Sequence, residues 1–141
     1  MTALLDIAKR LLSQREHSAY MLFEKLKQRG FGEVEIDDTL KQCEQAGYLS
    51  DARFADALCR ARLNKGYGPV VIQQLLRQAR VSSDIIASAL NTLDETVSWF
   101  DEAKRVREKK FRSKPDIPEL KQKQFLKYRG FTDTVIREIF T

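Results

Sequence analysis

The sequence predicts an all-α protein, a tandem repeat of three three-helix bundles forming an elongated, curved molecule. Two observations carry this. Apolar residues recur at helical spacing almost throughout, and strand-like alternation is absent. The chain also echoes itself at a fifty-residue offset. Leu26-Lys27-Gln28-Arg29-Gly30-Phe31 is matched by Leu126-Lys127-Tyr128-Arg129-Gly130-Phe131, with Ile36 and Ile136 five residues beyond. Leu76, Val81, Ile86 and Leu90 stand midway, and Arg80 takes the glycine position there. A period of this length marks units that bury an apolar face partly against a neighbour. Such stacks present a long surface rather than a pocket. Three units built on helices of about 12 residues would span ~50 Å.

The elements follow in order, in units expected at 1–49, 50–93 and 94–141. Leu4, Leu5, Ala8, Leu11 and Leu12 form the stripe of a first helix. Ser18 can cap a second, with Leu22, Phe23 and Leu26 inward and Gly30 closing it. Ile36, Leu40 and Cys43 mark a third, ended at Gly47. Ser50 or Asp51 opens the second unit, whose stripe is Phe54, Ala55, Leu58 and Ala61. Gly66-Tyr67-Gly68-Pro69 breaks the chain, and Pro69 suits the first turn of the next helix. Val71, Ile72, Leu75, Leu76 and Ala79 then face inward. Ser82 or Ser83 caps a sixth helix bearing Ile85, Ile86, Ala89, Leu90 and Leu93. The third unit is expected to open near Asp94, with Trp99, Ala103 and Val106 in its core. Lys114 to Pro118 is a break, Leu120, Phe125 and Leu126 follow, and Thr132 caps a short last helix.

Charge is unevenly placed. Residues 1–50 hold 7 Lys/Arg against 8 Asp/Glu, residues 51–100 hold 6 against 5, and residues 101–141 hold 12 against 7. The formal net charge of +5 therefore lies in the last third. A basic end points to a polyanion or an acidic protein groove. Arg105, Lys109 and Arg112 are spaced i, i+4, i+7, and Gln73, Arg77 and Arg80 repeat that spacing. Lys127 lies four residues after Lys123, with Arg129 nearby. Arg77, Arg80, Arg105, Lys109, Arg112, Lys127 and Arg129 are the expected partner- or DNA-binding residues, on stripes that stacking would bring to one concave side. Tyr67 and Tyr128 are the aromatics placed to stack on bases.

Other chemistries find little footing. No phosphate-loop, dinucleotide, zinc-protease or serine-hydrolase motif is present, so no catalytic residue is expected. One histidine and two separated cysteines make a metal site unexpected, and no cofactor is expected. Cys43 and Cys59 read as buried, reduced thiols of a cytoplasmic protein. His17, beside the cap Ser18, reads as a structural residue of the helix entry. No run of 18 apolar residues exists, so no membrane span is expected. A helix-turn-helix that reads duplex sequence is disfavoured. Its recognition helix would be the third of a unit, and in the first unit that helix carries Glu33, Glu35, Asp37, Asp38 and Glu44 against Lys41.

Four stretches, in order, carry a family resemblance. They are His17-Ser18 with Leu22 and Lys25-Leu26; Gly47 through Ala55; Lys65-Gly66-Tyr67-Gly68-Pro69 with Ile72; and Phe125-Leu126 with Arg129-Gly130-Phe131 and Ile136. Together they cover nearly the whole chain. The sequence resembles the RecX family, bacterial regulators of the RecA recombinase. Met21 and Leu75 stand where that family commonly has acidic residues, and Ser50 replaces the first of two acids before Arg53. The resemblance implies a non-enzymatic, all-helical protein that binds RecA–DNA filaments. It implies inhibition of recombinase, ATPase and coprotease activities, tuning DNA repair and the SOS response. A monomer is expected. The alternative is a helical DNA-binding module, acting on single-stranded or duplex DNA independently of RecA.

Overall fold

The computed structural model describes residues 2–141. Nine α-helices account for the secondary structure of these residues, and none contains a strand. They are α1 (Thr2–Gln14), α2 (Ala19–Gln28), α3 (Glu33–Gln45), α4 (Asp51–Asn64), α5 (Pro69–Gln78), α6 (Ser83–Thr96), α7 (Trp99–Phe111), α8 (Glu119–Tyr128) and α9 (Asp133–Ile139). Extensive helix contacts occur only within the trios α1–α3, α4–α6 and α7–α9. Each trio has its own buried cluster. Leu4, Leu22, Leu26, Ile36 and Cys43 anchor the first, Ala55, Ile72, Leu76 and Ile86 the second, and Ala103, Leu126, Phe131 and Ile136 the third. Three small cores leave much surface wet. The accessible area is 9076 Å², against about 7,500 Å² for a compact monomer of this mass.

Hydroxyl caps start the helices. Ser18, Ser50, Ser82, Ser98 and Thr132 each accept a hydrogen bond from the backbone N–H three residues on, at 3.1–3.3 Å. Between Ser50 and Asp51 the cap is Ser50, and between Ser82 and Ser83 it is Ser82. Helix α6 runs beyond Leu93 to Thr96, and Ser98 opens the third trio four residues after Asp94. Trp99 bridges two cores: it packs against the second cluster and meets Phe131 of the third edge-on at 6.4 Å.

The sequence echo has a backbone cause. At the end of α2, Gly30 N–H donates to Lys27 O (3.0 Å) and Phe31 N–H reaches back to Leu26 O (3.4 Å). Arg80 and Val81 make the same pair of bonds to Arg77 and Leu76, and Gly130 and Phe131 make it to Lys127 and Leu126. This double bond pattern requires a left-handed residue in the middle. Gly30 (φ 94°), Arg80 (φ 58°) and Gly130 (φ 98°) supply it. The leucine and the phenylalanine or valine are the two apolar ends of one helix stop. Gly30→Ala places a Cβ in open space, so only backbone strain opposes it. A loss of about 1–2 kcal/mol is expected in chemical denaturation.

The trios are joined twice by one device, offset by fifty residues. At the first joint, Ser18 Oγ donates to Ala79 O (2.8 Å), and Arg80 stacks on Tyr20 at 5.3 Å. At the second, Gly68 N–H donates to Arg129 O (2.7 Å) and Val70 N–H to Gly130 O (3.0 Å). The start of each second helix thus docks on the helix stop of the following trio.

His17 is sealed at the first joint, 1% exposed. Its Nδ1–H donates to Arg15 O (3.0 Å), and its Nε2 accepts from Lys25 Nζ (2.8 Å). Burial, with the positive charges of Lys25 and Arg15, holds the imidazole below its ordinary 6.5. The unfolded chain therefore binds this proton first as pH falls. The stability contributed by neutral His17 is complete above about pH 6.5 and is lost on acidification below it. The thermal midpoint should drop from pH 7.5 to pH 5.5, and by less in His17→Asn.

Candidate partner interface

Helix α7 turns Ala103 and Val106 into its trio's core, which leaves Arg105 and Lys109 on the outward side. The second joint brings the α4–α5 turn against that side. The result is a cleft of about 520 Å³ floored by Val106 and Phe125. Lys65, Arg105, Lys109, Lys110 and Arg129 line it, and no carboxylate does. Arg105 is steadied by Glu102 at 2.8 Å. Lys110 lies 5.4 Å from the Phe125 ring. Five cations with no lining acid raise the local positive potential and favour an incoming anion.

Arg129 has a second task. Its Nη1 donates to Lys65 O (2.8 Å), and its guanidinium sits 4.9 Å from Tyr67 and 5.0 Å from Phe125. It is a strut across the joint as well as a charge in the cleft. Tyr67 is thereby engaged within the protein, whereas Tyr128 is 78% exposed.

The seven cations expected on one side are distributed instead. Arg105, Lys109 and Arg129 converge. Arg112 ends α7 and lines a separate cleft with Arg107, Phe111 and Gln122. Lys127 pairs with Asp133 at 3.4 Å and lines a third, beside Leu120 and Arg137. Arg77 is exposed on α5, and Arg80, the left-handed residue just past the C-cap Ala79, stacks on Tyr20. Helical stripes fix a side within one helix, but the packing of helices within a trio and the turn from trio to trio decide which stripes meet. Lys65 and Lys110 join the cleft although no stripe nominated them. The fifty-residue offset from Arg15 to Lys65 was the available signal.

Glu33, Glu35, Asp37 and Asp38 are all exposed on α3, so that helix presents a negative surface. Cys43 and Cys59 are buried free thiols, and burial pushes both above their ordinary value. Among the described residues, no three His, Cys, Asp or Glu side chains converge as metal ligands. Among the same residues, no helix is long and apolar enough to cross a membrane.

Comparison with known proteins places this architecture. Residues 5–43 match the family described as RecX, first three-helix domain, and residues 50–90 match RecX, second three-helix domain. The chain belongs to the RecX family. A relative named regulatory protein RecX, from Legionella pneumophila (strain Corby), is 42% identical over 99% of this chain and 94% of its own length. Regulatory protein RecX of Haemophilus influenzae (strain Rd) is 39% identical over 86% of this chain and 82% of its own. A crystal structure of regulatory protein RecX superposes with TM-score 0.81 at 25% identity, covering 98% of this chain and 70% of that one. RecX from Lactobacillus salivarius gives the same TM-score at 20% identity, over 99% of this chain and 93% of that one, and shows the shared RecX fold.

Proposed function

We propose that this RecX-family chain is a non-enzymatic regulator that lies lengthwise on RecA–DNA filaments and inhibits recombinase, ATPase and coprotease activities. It thereby tunes DNA repair and the SOS response in the bacterial cytoplasm. It acts as a monomer and without a cofactor. The observation that carries the reading is the cleft of Lys65, Arg105, Lys109, Lys110 and Arg129, with no acid in its lining. Such a cleft suits the phosphates of the filament's DNA or carboxylates on RecA. An extended stack of three trios suits contact with more than one filament subunit.

The test is RecA ATPase on single-stranded DNA with increasing amounts of this protein. Inhibition well below one molecule per RecA is expected if it blocks filament growth, and inhibition near saturation if it coats the groove. Unchanged hydrolysis at saturation overturns the proposal. Titrating single-stranded and duplex DNA with the protein alone, at two salt concentrations, separates the independent DNA-binding module. Tight, salt-sensitive binding without RecA favours that module.

A further inference from the structure

The basic cleft has a twin at the first joint. This second cleft, about 470 Å³, lies between the first and second trios. Aligning the caps Ser50 and Ser98 pairs Ala57 with Arg105, Leu58 with Val106, Ala61 with Lys109 and Arg62 with Lys110. Aligning the helix stops at Arg80 and Gly130 pairs Ala79 with Arg129 and Leu75 with Phe125. Arg15 takes the place of Lys65, three residues before Ser18 and Gly68 respectively. Three alanines thus stand where the twin has three cations, while two cations are kept.

The consequence is an apolar trough with a positive rim. Met21, Phe54, Leu58 and Leu75 line it, and its volume falls within the range of ligand sites. Glu16 is the one lining carboxylate, and Arg53 already holds it at 2.8 Å. Arg15 and Arg62 have no carboxylate partner among the described residues. A nucleic-acid backbone would find two cations here against five in the twin, over a floor that offers it little.

We propose that the cleft between the first two trios docks a polypeptide segment in which a bulky apolar side chain is flanked by carboxylates. The apolar group fills the space left by Ala57, Ala61 and Ala79, and the carboxylates meet Arg15 and Arg62. Buried apolar anchors ringed by polar contacts are the usual centre of a protein interface. The site is distinct from the basic cleft and does not rest on filament binding.

The test uses a labelled heptapeptide with Phe-Leu flanked on both sides by Asp and Glu, and the full chain. Saturable binding is expected, with amide shifts at Ala57, Leu58 and Leu75. A peptide with Ala-Ala in place of Phe-Leu, and one with Lys flanks, should each bind at least about tenfold more weakly. Ala57→Gln/Ala61→Gln fills the trough without adding charge and should weaken binding about tenfold at an unchanged thermal midpoint. Absence of binding, equal binding of the Ala-Ala peptide, shifts confined to the basic cleft, or unaltered affinity in the folded double variant would each overturn the proposal.

Discussion

Gly68→Ala is expected to open the second joint and separate the third trio from the rest. Gly68 has φ −94°, so alanine meets no backbone strain there. Its Cβ would instead fall 2.5 Å from Gly130 O, 2.6 Å from Gly130 C and 2.7 Å from Phe131 N. All three are backbone atoms of a helix stop, which cannot rotate aside. Relief requires α5 to move away, breaking the Gly68–Arg129 and Val70–Gly130 hydrogen bonds. Two such bonds at about 1 kcal/mol each, with the overpacking itself, put the loss near 3 kcal/mol. Each trio keeps its own core, so helicity should largely survive. The readouts are a lower thermal midpoint and a larger radius of gyration in solution scattering. An unchanged radius with an unchanged midpoint would count against this account of the joint. The basic cleft is built by the same joint, so filament inhibition should weaken although no charge has been altered.

Arg105→Glu/Lys109→Glu is expected to abolish most filament inhibition while leaving the fold intact. Both side chains are exposed and both line the basic cleft. Removing two cations and adding two anions at one anion site should raise the concentration for half-inhibition about tenfold to a hundredfold. If the cleft meets phosphates, the salt dependence of log affinity should also flatten by about 2. The new glutamate at 105 would stand three residues from Glu102, costing a few tenths of a kcal/mol. Circular dichroism should therefore show a near-native midpoint. A double variant that inhibits RecA ATPase as wild type does would remove this cleft from the function.

Much of the fold was legible because its signals are local. The repeated leucine, left-handed residue and phenylalanine or valine form one stop bonded within six residues. The Ser and Thr caps act three residues ahead. The end of α6 was less legible. Its last buried residue is Leu93, yet Val97 N–H still bonds Leu93 O, and the Thr96 hydroxyl donates to Thr92 O at 2.8 Å, so the helix runs past its apolar stripe. The basic cleft was legible in part. Arg105 and Lys109 follow from the α7 stripe. That Lys127 faces another cleft depends on how α8 packs on α7, and that Lys65 enters this one while Arg77 and Arg80 do not depends on the angle between trios. That angle is set by contacts 61 and 64 residues apart, Ser18 to Ala79 and Arg129 to Lys65 among them, and no helical period encodes it.

The joints also limit their own reuse. Each carries its bond on the N-cap of a second helix: the hydroxyl of Ser18 at the first and the amide of Gly68 at the second. The residue in that place in the third trio is Pro118, the N-cap of α8. Proline has neither hydroxyl nor N–H to give. Leu120, equivalent to Tyr20 and Val70, is 67% exposed, whereas those two are 39% and 41% exposed beside their joints. At the opposite end, the space beside Gly30 is open, while Val71 crowds Gly130. A surface that fits its own far end risks growing into open-ended fibres. One imino acid at Pro118 withholds the N-cap bond that each existing joint carries, so end-to-end growth by the same device is blocked at that position.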